Sequence, residues 1–293
     1  MSAGYKLLKY GMTTDESQVI FLMQEVSRLR ERLNTLTPSL SIMLRRRGFS
    51  IYKKEPQTDL ILPDQHYVDS YYGRLKKYSF RLFLREVIKH QPLFDLAQVA
   101  RFATNEVTVE YLHFLESIGL IASDADKYRL LKGPIKSFGP TLEWFVAEIF
   151  RREFSAEAIW GAKMKHRNVG GDYDLLSRIE GAIIYMEIKS SPPRQIYPNE
   201  ISAFLSRVLD LSPEVAVFFM DTELRMKDKI VPMFEEELKS RFASPPGVRR
   251  MERELFEVSG EGVDGNKIFI INAKDSVAAN IEKVLIRYLR GGH

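Results

Sequence analysis

Two kinds of apolar pattern divide this chain. In the back part, short runs rich in β-branched and aromatic residues alternate with stretches of helical periodicity. The runs Ala158 to Met164, Tyr173 to Ile179, Ala182 to Ser190, Val215 to Met220 and Lys267 to Asn272 are predicted strands. The predicted helices around them cover Thr141 to Phe154, Glu200 to Leu211, Lys227 to Arg241 and Ser276 to Arg290. The front part opens differently. Val19, Leu22, Val26, Leu29, Leu33 and Leu36 recur at spacings of 3, 4, 3, 4 and 3, an a/d heptad seam. With Val19 at a, Glu25 falls at g and Arg30 at the next e, so a parallel pair would set opposite charges across the seam. A helix packing on its own chain has the same pattern.

Pro38 ends the seam. A basic cluster follows, Arg45, Arg46 and Arg47 with Lys53 and Lys54 around Gly48 to Tyr52, and it is a candidate phosphate contact as well as a solvated surface. Between Glu55 and Tyr72 the composition is polar, and Pro56 and Pro63 mark a predicted linker. A helix is predicted over Ser79 to Lys89 and a second from the N-cap Asp95 to about Ala103. Thr104-Asn105 makes a turn, a third helix runs Glu106 to Ile118 and closes at Gly119, and Leu120 to Leu131 reads as a hairpin with Asp124 to Asp126 at its tip. This order resembles a winged helix-turn-helix domain, as does the Tyr111-Leu-x-Phe-Leu-x-x-x-Gly119-Leu-Ile pattern. The resemblance implies a third helix that reads the major groove. Here that helix carries Glu106, Glu110 and Glu116, with His113 its one candidate cation. The basic residues lie instead on the preceding helices (Arg74, Lys76, Lys77, Arg81, Arg85, Lys89, Arg101) and on the wing (Lys127, Arg129, Lys132). The module could bind DNA by that face, bind protein, or act as a scaffold.

The candidate chemistry lies in the two middle strands. Glu180-Gly181 reads as a two-residue hairpin turn, which sets Asp174 opposite Glu187 and Asp172 opposite Lys189. The period of two puts Tyr185, Glu187 and Lys189 on one face. Two carboxylates this close repel unless a cation sits between them. An oxygen-ligated Mg²⁺ meets that need and keeps waters to deliver, while a lysine beside it can stabilise developing charge. A surface hairpin with weak ion pairs is the bland reading.

Asp174, twelve intervening residues and Glu187-Ile188-Lys189 resemble the Asp…(Asp/Glu)-x-Lys core of the PD-(D/E)xK nuclease superfamily, which includes restriction endonucleases, archaeal Holliday junction resolvases and RecB-like nucleases. The predicted element order from 138 to 221 follows that family's helix, three antiparallel strands, helix and strand. The resemblance implies an α/β fold: a restriction-endonuclease-like mixed central sheet flanked by helices, preceded by the mostly helical winged-helix-like domain and the N-terminal helix. It also implies a Mg²⁺-dependent endonuclease hydrolysing DNA phosphodiester bonds, with Mn²⁺ as a substitute metal. Asp174 and Glu187 would hold the metal, with the Ile188 carbonyl as a further ligand, and Lys189 would orient or deprotonate the attacking water. Glu143 occupies the place of the family's leading-helix glutamate, with Glu148 as runner-up; an N-terminal acid on the helix dipole explains Glu143 equally. Asp172 is a spare acid able to substitute for Asp174. The sequence departs from the family in having Tyr173 where the proline stands, and only Gln195-Ile-Tyr197 where the RecB-like branch has Gln-x-x-x-Tyr.

Composition narrows this picture. Cysteine is absent and histidine numbers five, which excludes a thiolate nucleophile and disfavours a zinc site, and fits a reducing cytoplasm. No apolar run reaches the roughly 20 residues of a membrane span. The net charge of +4 is unevenly placed, with 21 Lys and Arg against 15 Asp and Glu in residues 1–137 and 22 against 24 in 138–293. A front half that holds a polyanion and a back half that cuts it suits this division. Three units are expected: residues 1–72 (helical segment and linker), 73–137 (winged-helix-like) and 138–293 (nuclease-like). DNA is the expected partner, contacted by Arg45, Arg46, Arg47, Lys76, Lys77, Lys127 and Arg129, with a homodimer through the 19–36 helix. A non-catalytic winged-helix regulator and a structure-specific or RNA nuclease are the competing readings.

Overall fold

The computed structural model describes residues 14–36, 38–165, 169–260 and 267–291. The front of the chain supplies helix α1 (Thr14–Leu36), helix α2 (Leu40–Arg46), strand β1 (Ile51–Lys53), helix α3 (Val68–Leu75) and helix α4 (Tyr78–His90). Strand β2 (Leu93–Phe94), helices α5 (Leu96–Val99) and α6 (Asn105–Ser117) and strands β3 (Ile121–Asp124) and β4 (Lys127–Leu130) follow. Asp95 caps α5 in a reciprocal capping box with Gln98, and Thr104 caps α6. β2, β4 and β3 form a small antiparallel sheet. The winged-helix-like order expected from the sequence is therefore present.

The back half contains helix α7 (Gly139–Glu153), strands β5 (Glu157–Met164), β6 (Tyr173–Ile179) and β7 (Ala182–Lys189), helix α8 (Pro198–Leu211) and strand β8 (Val215–Met220). Helix α9 (Ile230–Arg241), strands β9 (Gly247–Glu252), β10 (Leu255–Ser259) and β11 (Lys267–Asn272), and helix α10 (Val277–Arg290) complete it. Eight strands join in the order β1-β5-β6-β7-β8-β11-β10-β9. β7, β8 and β11 run parallel, and the remaining pairs are antiparallel. This is the mixed sheet flanked by helices that the resemblance implied.

Helices cover both faces, which is why the central strands are apolar without interruption. Val215, Val217 and Phe219 face one layer with α7 and α10, whereas Ala216, Phe218 and Met220 face a second with α8, α9 and Leu40 and Leu44 of α2. The first layer runs on without a break into Tyr71, Phe80, Phe83 and Leu84 of α3 and α4.

Several expectations change. The predicted linker over 55–72 ends in packed structure, because Ile61, Tyr71 and Tyr72 are buried in the layer that holds α7 and α4. β1 joins the large sheet as an edge strand, although its residues read as part of a basic segment. β9 and β10 go beyond the strands the pattern predicts. The charged residues Arg249, Arg250 and Glu252 mask the period of β9, a strand at the far edge. On α1, Val19, Leu22, Val26 and Leu29 are all exposed, so this part of the seam packs on nothing among the described residues. The side chains of Arg30, Leu33 and Leu36 lie outside the described residues.

Candidate active site

The Glu180-Gly181 turn has φ of 48° and 83°, the two positive values a type I′ hairpin requires. The ladder then runs as predicted, from Ile179 opposite Ala182 to Leu175 opposite Met186. Beyond Leu175 the geometry departs from the prediction. On β5, Ile159 and Ala162 face the same layer although three residues apart, and on β6 so do Tyr173 and Leu176. The change of parity falls at Gly161, whose φ is +56°, and at Asp174 opposite it. Asp174 thereby leaves the ladder, and its Oδ2 accepts the Ile188 N–H at 2.7 Å. Asp172 does not meet Lys189; its carboxylate lies 3.1 Å from Lys163 Nζ on β5. An unbroken register would put Asp172 against Lys189, but the kink at Asp174 swings the preceding residues toward β5.

β7 keeps its alternation. Tyr185 and Glu187 face the α8 layer, while Met186 and Ile188 face the α7 layer. Glu187 is 3% exposed and has a cation on each oxygen. Lys189 Nζ lies 3.0 Å from its Oε1, and Arg207 Nη1, from α8, lies 2.8 Å from its Oε2. The Tyr185 hydroxyl also donates to Oε2. Lys189 Nζ reaches Glu200 Oε2 at 3.0 Å as well. Sequence reasoning misses Arg207 and Glu200. The one signal available is that Arg207 interrupts the apolar face of α8, three residues from Phe204 and four from Leu211.

Glu143 projects from the first turns of α7 toward this group. A β-carbon built on Gly161 would stand 3.5 Å from its Oε2, which places it beside the Asp174 kink. Burial, then the charges of Asp172 and Glu187, push its pKa up to about 7 against the partial opposition of Lys189. Burial, Glu187 and Glu143 likewise hold Asp174 well above the ordinary carboxylate range. Lys189 is lowered by burial but raised more by Glu187 and Asp174, so it stays an ammonium at neutral pH. Burial and Glu187 raise the Tyr185 phenol, which stays neutral and a donor. Glu148, the alternative to Glu143, is held by Arg151 at 3.0 Å and Arg152 at 2.6 Å and takes no part.

Glu187 therefore raises the proton affinity of both Asp174 and Glu143, despite the cations that reach it. All the free donors of these carboxylates are oxygens, the set a hard divalent ion takes. Asp174, Glu187 and Glu143 supply the donor type such an ion takes. The Ile188 carbonyl belongs to the same residue whose N–H binds Asp174, which keeps it beside the group as a candidate ligand. Among the described residues, no three His, Cys, Asp or Glu side chains converge on one ion-binding point as they stand. The Lys189 ammonium occupies Glu187 Oε1 and Arg207 its Oε2.

The expected nucleic-acid contacts divide. Arg45, Arg46, Lys77, Lys127 and Arg129 are exposed. Arg47 is engaged internally, by the Ser212 carbonyl at 2.7 Å and by Glu214, and Lys76 by Glu153 at 2.5 Å. Arg81 and Arg85, counted among the basic residues of the helical module, turn inward to Asp221. Each of these has its charge matched within the chain and is a poor phosphate contact.

No protein-family model matches the chain, and no curated protein matches it. Two solved structures are similar in part. One is Can2 from Sulfobacillus thermosulfidooxidans in complex with cyclic tetra-adenylate, with 13% identity and a TM-score of 0.48 over 86% of this chain and 60% of that one. The other is protein VC1899 from Vibrio cholerae, with 14% identity and a TM-score of 0.40 over 66% of this chain and 54% of that one. This chain thus spans little more than half the length of either. The chain itself has a mixed α/β fold with an eight-stranded sheet, and an acid-and-lysine group at the ends of its central strands.

Proposed function

We propose that the protein is a metal-dependent nuclease that hydrolyses phosphodiester bonds, with DNA as the first substrate to test. The observation that carries this reading is the grouping of Asp174, Glu187 and Glu143 beside the charged Lys189, with Glu187 raising the proton affinity of the other two. Mg²⁺ or Mn²⁺ bound by Asp174 and Glu187 would supply Lewis acidity and a bound water. Lys189, held by Glu187 and Glu200, presents its ammonium to the phosphoryl oxygens as negative charge builds on them. It serves there as a cation rather than as the base. Glu143, beside Asp174 and Asp172, receives the proton of the attacking water. Arg207 and the Tyr185 hydroxyl fix the Glu187 carboxylate from behind.

The test is cleavage of linear, nicked and branched DNA and of RNA, with Mg²⁺, Mn²⁺ or EDTA. Asp174→Ala and Lys189→Met are each expected to lower the rate at least about 100-fold. Equal cutting by both variants would rule the assignment out.

One observation favours a non-catalytic, nucleic-acid-binding regulator: both oxygens of Glu187 are already matched by Lys189 and Arg207. Metal titration separates the two readings. A metal-binding site raises the melting temperature with Mn²⁺ in the parent and not in Asp174→Ala, whereas a regulator shows no such difference.

A further inference from the structure

The large sheet ends on the active-site side at β1, which is bonded to β5 along one edge only. Ile51 tucks into the α8 layer, whereas Tyr52 is 57% exposed and Lys53 and Lys54 are exposed beside it. With Arg45 of α2 these residues line a surface groove of about 390 Å³ that no carboxylate enters. Among the described residues, Arg45, Lys53 and Lys54 have no carboxylate partner. That contrasts with Arg47, Arg81, Arg85 and Lys76, each matched within the chain. The strip does not stop at β1. Ile51 pairs with Met164 and Lys53 with Lys163, and the Lys165 N–H bonds the Ser50 carbonyl at 2.9 Å. Lys163 in turn reaches Asp172 at 3.1 Å, and Asp172 acts on Glu143. The sheet edge thus leads from the unmatched cations of β1 to the acid group by way of the Lys163–Asp172 pair.

Lysines on an edge strand also guard against strand pairing between molecules. That accounts for Lys53 and Lys54. It does not account for the exposed tyrosine beside them, nor for Arg45 of α2 lining the same groove. Cations that track a phosphate backbone, with an aromatic ring among them, are what an unpaired nucleic acid strand needs. A duplex keeps its base faces stacked and offers no such face to Tyr52.

We propose that β1 and its flanks are a track for single-stranded nucleic acid, with phosphates on Arg45, Lys53 and Lys54 and a base stacked on Tyr52. That the strand runs on toward Asp174 rests on the nuclease reading; the binding itself does not. The test is fluorescence anisotropy of a labelled oligo-dT in EDTA, where no cleavage occurs, with the same sequence as a duplex for comparison. Tyr52→Ala weakens single-strand binding about 5- to 150-fold and leaves duplex binding unchanged, and Tyr52→Trp retains it. The double change Lys53→Ala, Lys54→Ala reduces the log–log salt slope by about 1.4. The proposal fails if the parent binds no single strand, or if the Tyr52→Ala and double lysine variants bind it as the parent does. Loss of cleavage in Asp174→Ala with unchanged binding in the strip variants would sink the track and keep the nuclease. Strip-dependent binding by a parent that never cuts would do the reverse.

Discussion

Glu143 is the residue whose environment is most at odds with its charge. In the metal-free protein its pKa of about 7 stands above the ordinary 4.5, so the folded state holds the proton more tightly than the unfolded chain does. The raised value favours folding below about pH 4.5, and that contribution is lost as pH rises through 7. Glu143→Gln removes the titration. In EDTA, the variant is expected to gain on the parent between pH 5 and pH 8, by on the order of 3 kcal/mol at the upper end. Denaturant melts at the two pH values check this, and a pH-independent difference would show that the carboxylate is not held as described. The same residue illustrates what a single position cannot reveal. A glutamate near a helix start is an ordinary dipole partner, and only the approach of Gly161 and Asp172 makes it part of the site.

At the scale of elements, the β6–β7 hairpin is the most legible piece of the chain. Its turn and its ladder up to Leu175 follow from alternation alone. Glu180 nevertheless sits at φ 48°, where a residue with a long side chain is uncommon. Glu180→Asn is expected to stabilise the protein by about 0.5–1 kcal/mol, read as a higher denaturation midpoint at constant slope, whereas Gly181→Ala should destabilise it. α1 presents the opposite situation. Its seam is visible in the sequence, but the structure leaves Val19, Leu22, Val26 and Leu29 uncovered, and we propose that a second copy covers them. Light scattering should find a dimer in the parent and a monomer in the double variant Leu22→Asp, Val26→Asp. A monomeric parent would end the proposal.

For the whole molecule, the decisive contact is Asp221, just past β8, with Arg81 and Arg85 of α4. Arg81 Nη2 lies 2.8 Å from Asp221 Oδ1, and both residues are almost wholly enclosed. Together with the continuous apolar layer from Tyr71 to Leu285, it fastens the helical module to the sheet. Burial alone would raise the Asp221 pKa, but the two guanidinium groups outweigh it and hold the value below the ordinary 3.8. A depressed carboxylate pKa stabilises fully above the unfolded value, and the contribution is lost as pH falls through the folded one. Stability should therefore drop steeply below about pH 4. Asp221→Asn should cost about 3–5 kcal/mol at pH 7, since it leaves two buried cations unmatched, and should flatten that acid drop. An unchanged acid profile in the variant would refute this account. No helix among the described residues is long and apolar enough to cross a membrane.

Local pattern by itself determined five strands of the large sheet, most helix limits, the hairpin turn and the presence of Asp174, Glu187 and Lys189 at the strand ends. Each depends on a period of two or 3.6 and on turn residues, which neighbours in sequence impose. What only the tertiary structure decided depends on residues far apart in the chain. Arg207 and Glu200 join the site from α8, Asp172 turns to Lys163, and the front-half arginines are drawn inward by Asp221. A charged side chain carries no periodic signature of its partner, because Coulomb attraction and desolvation are settled by distance and burial in space.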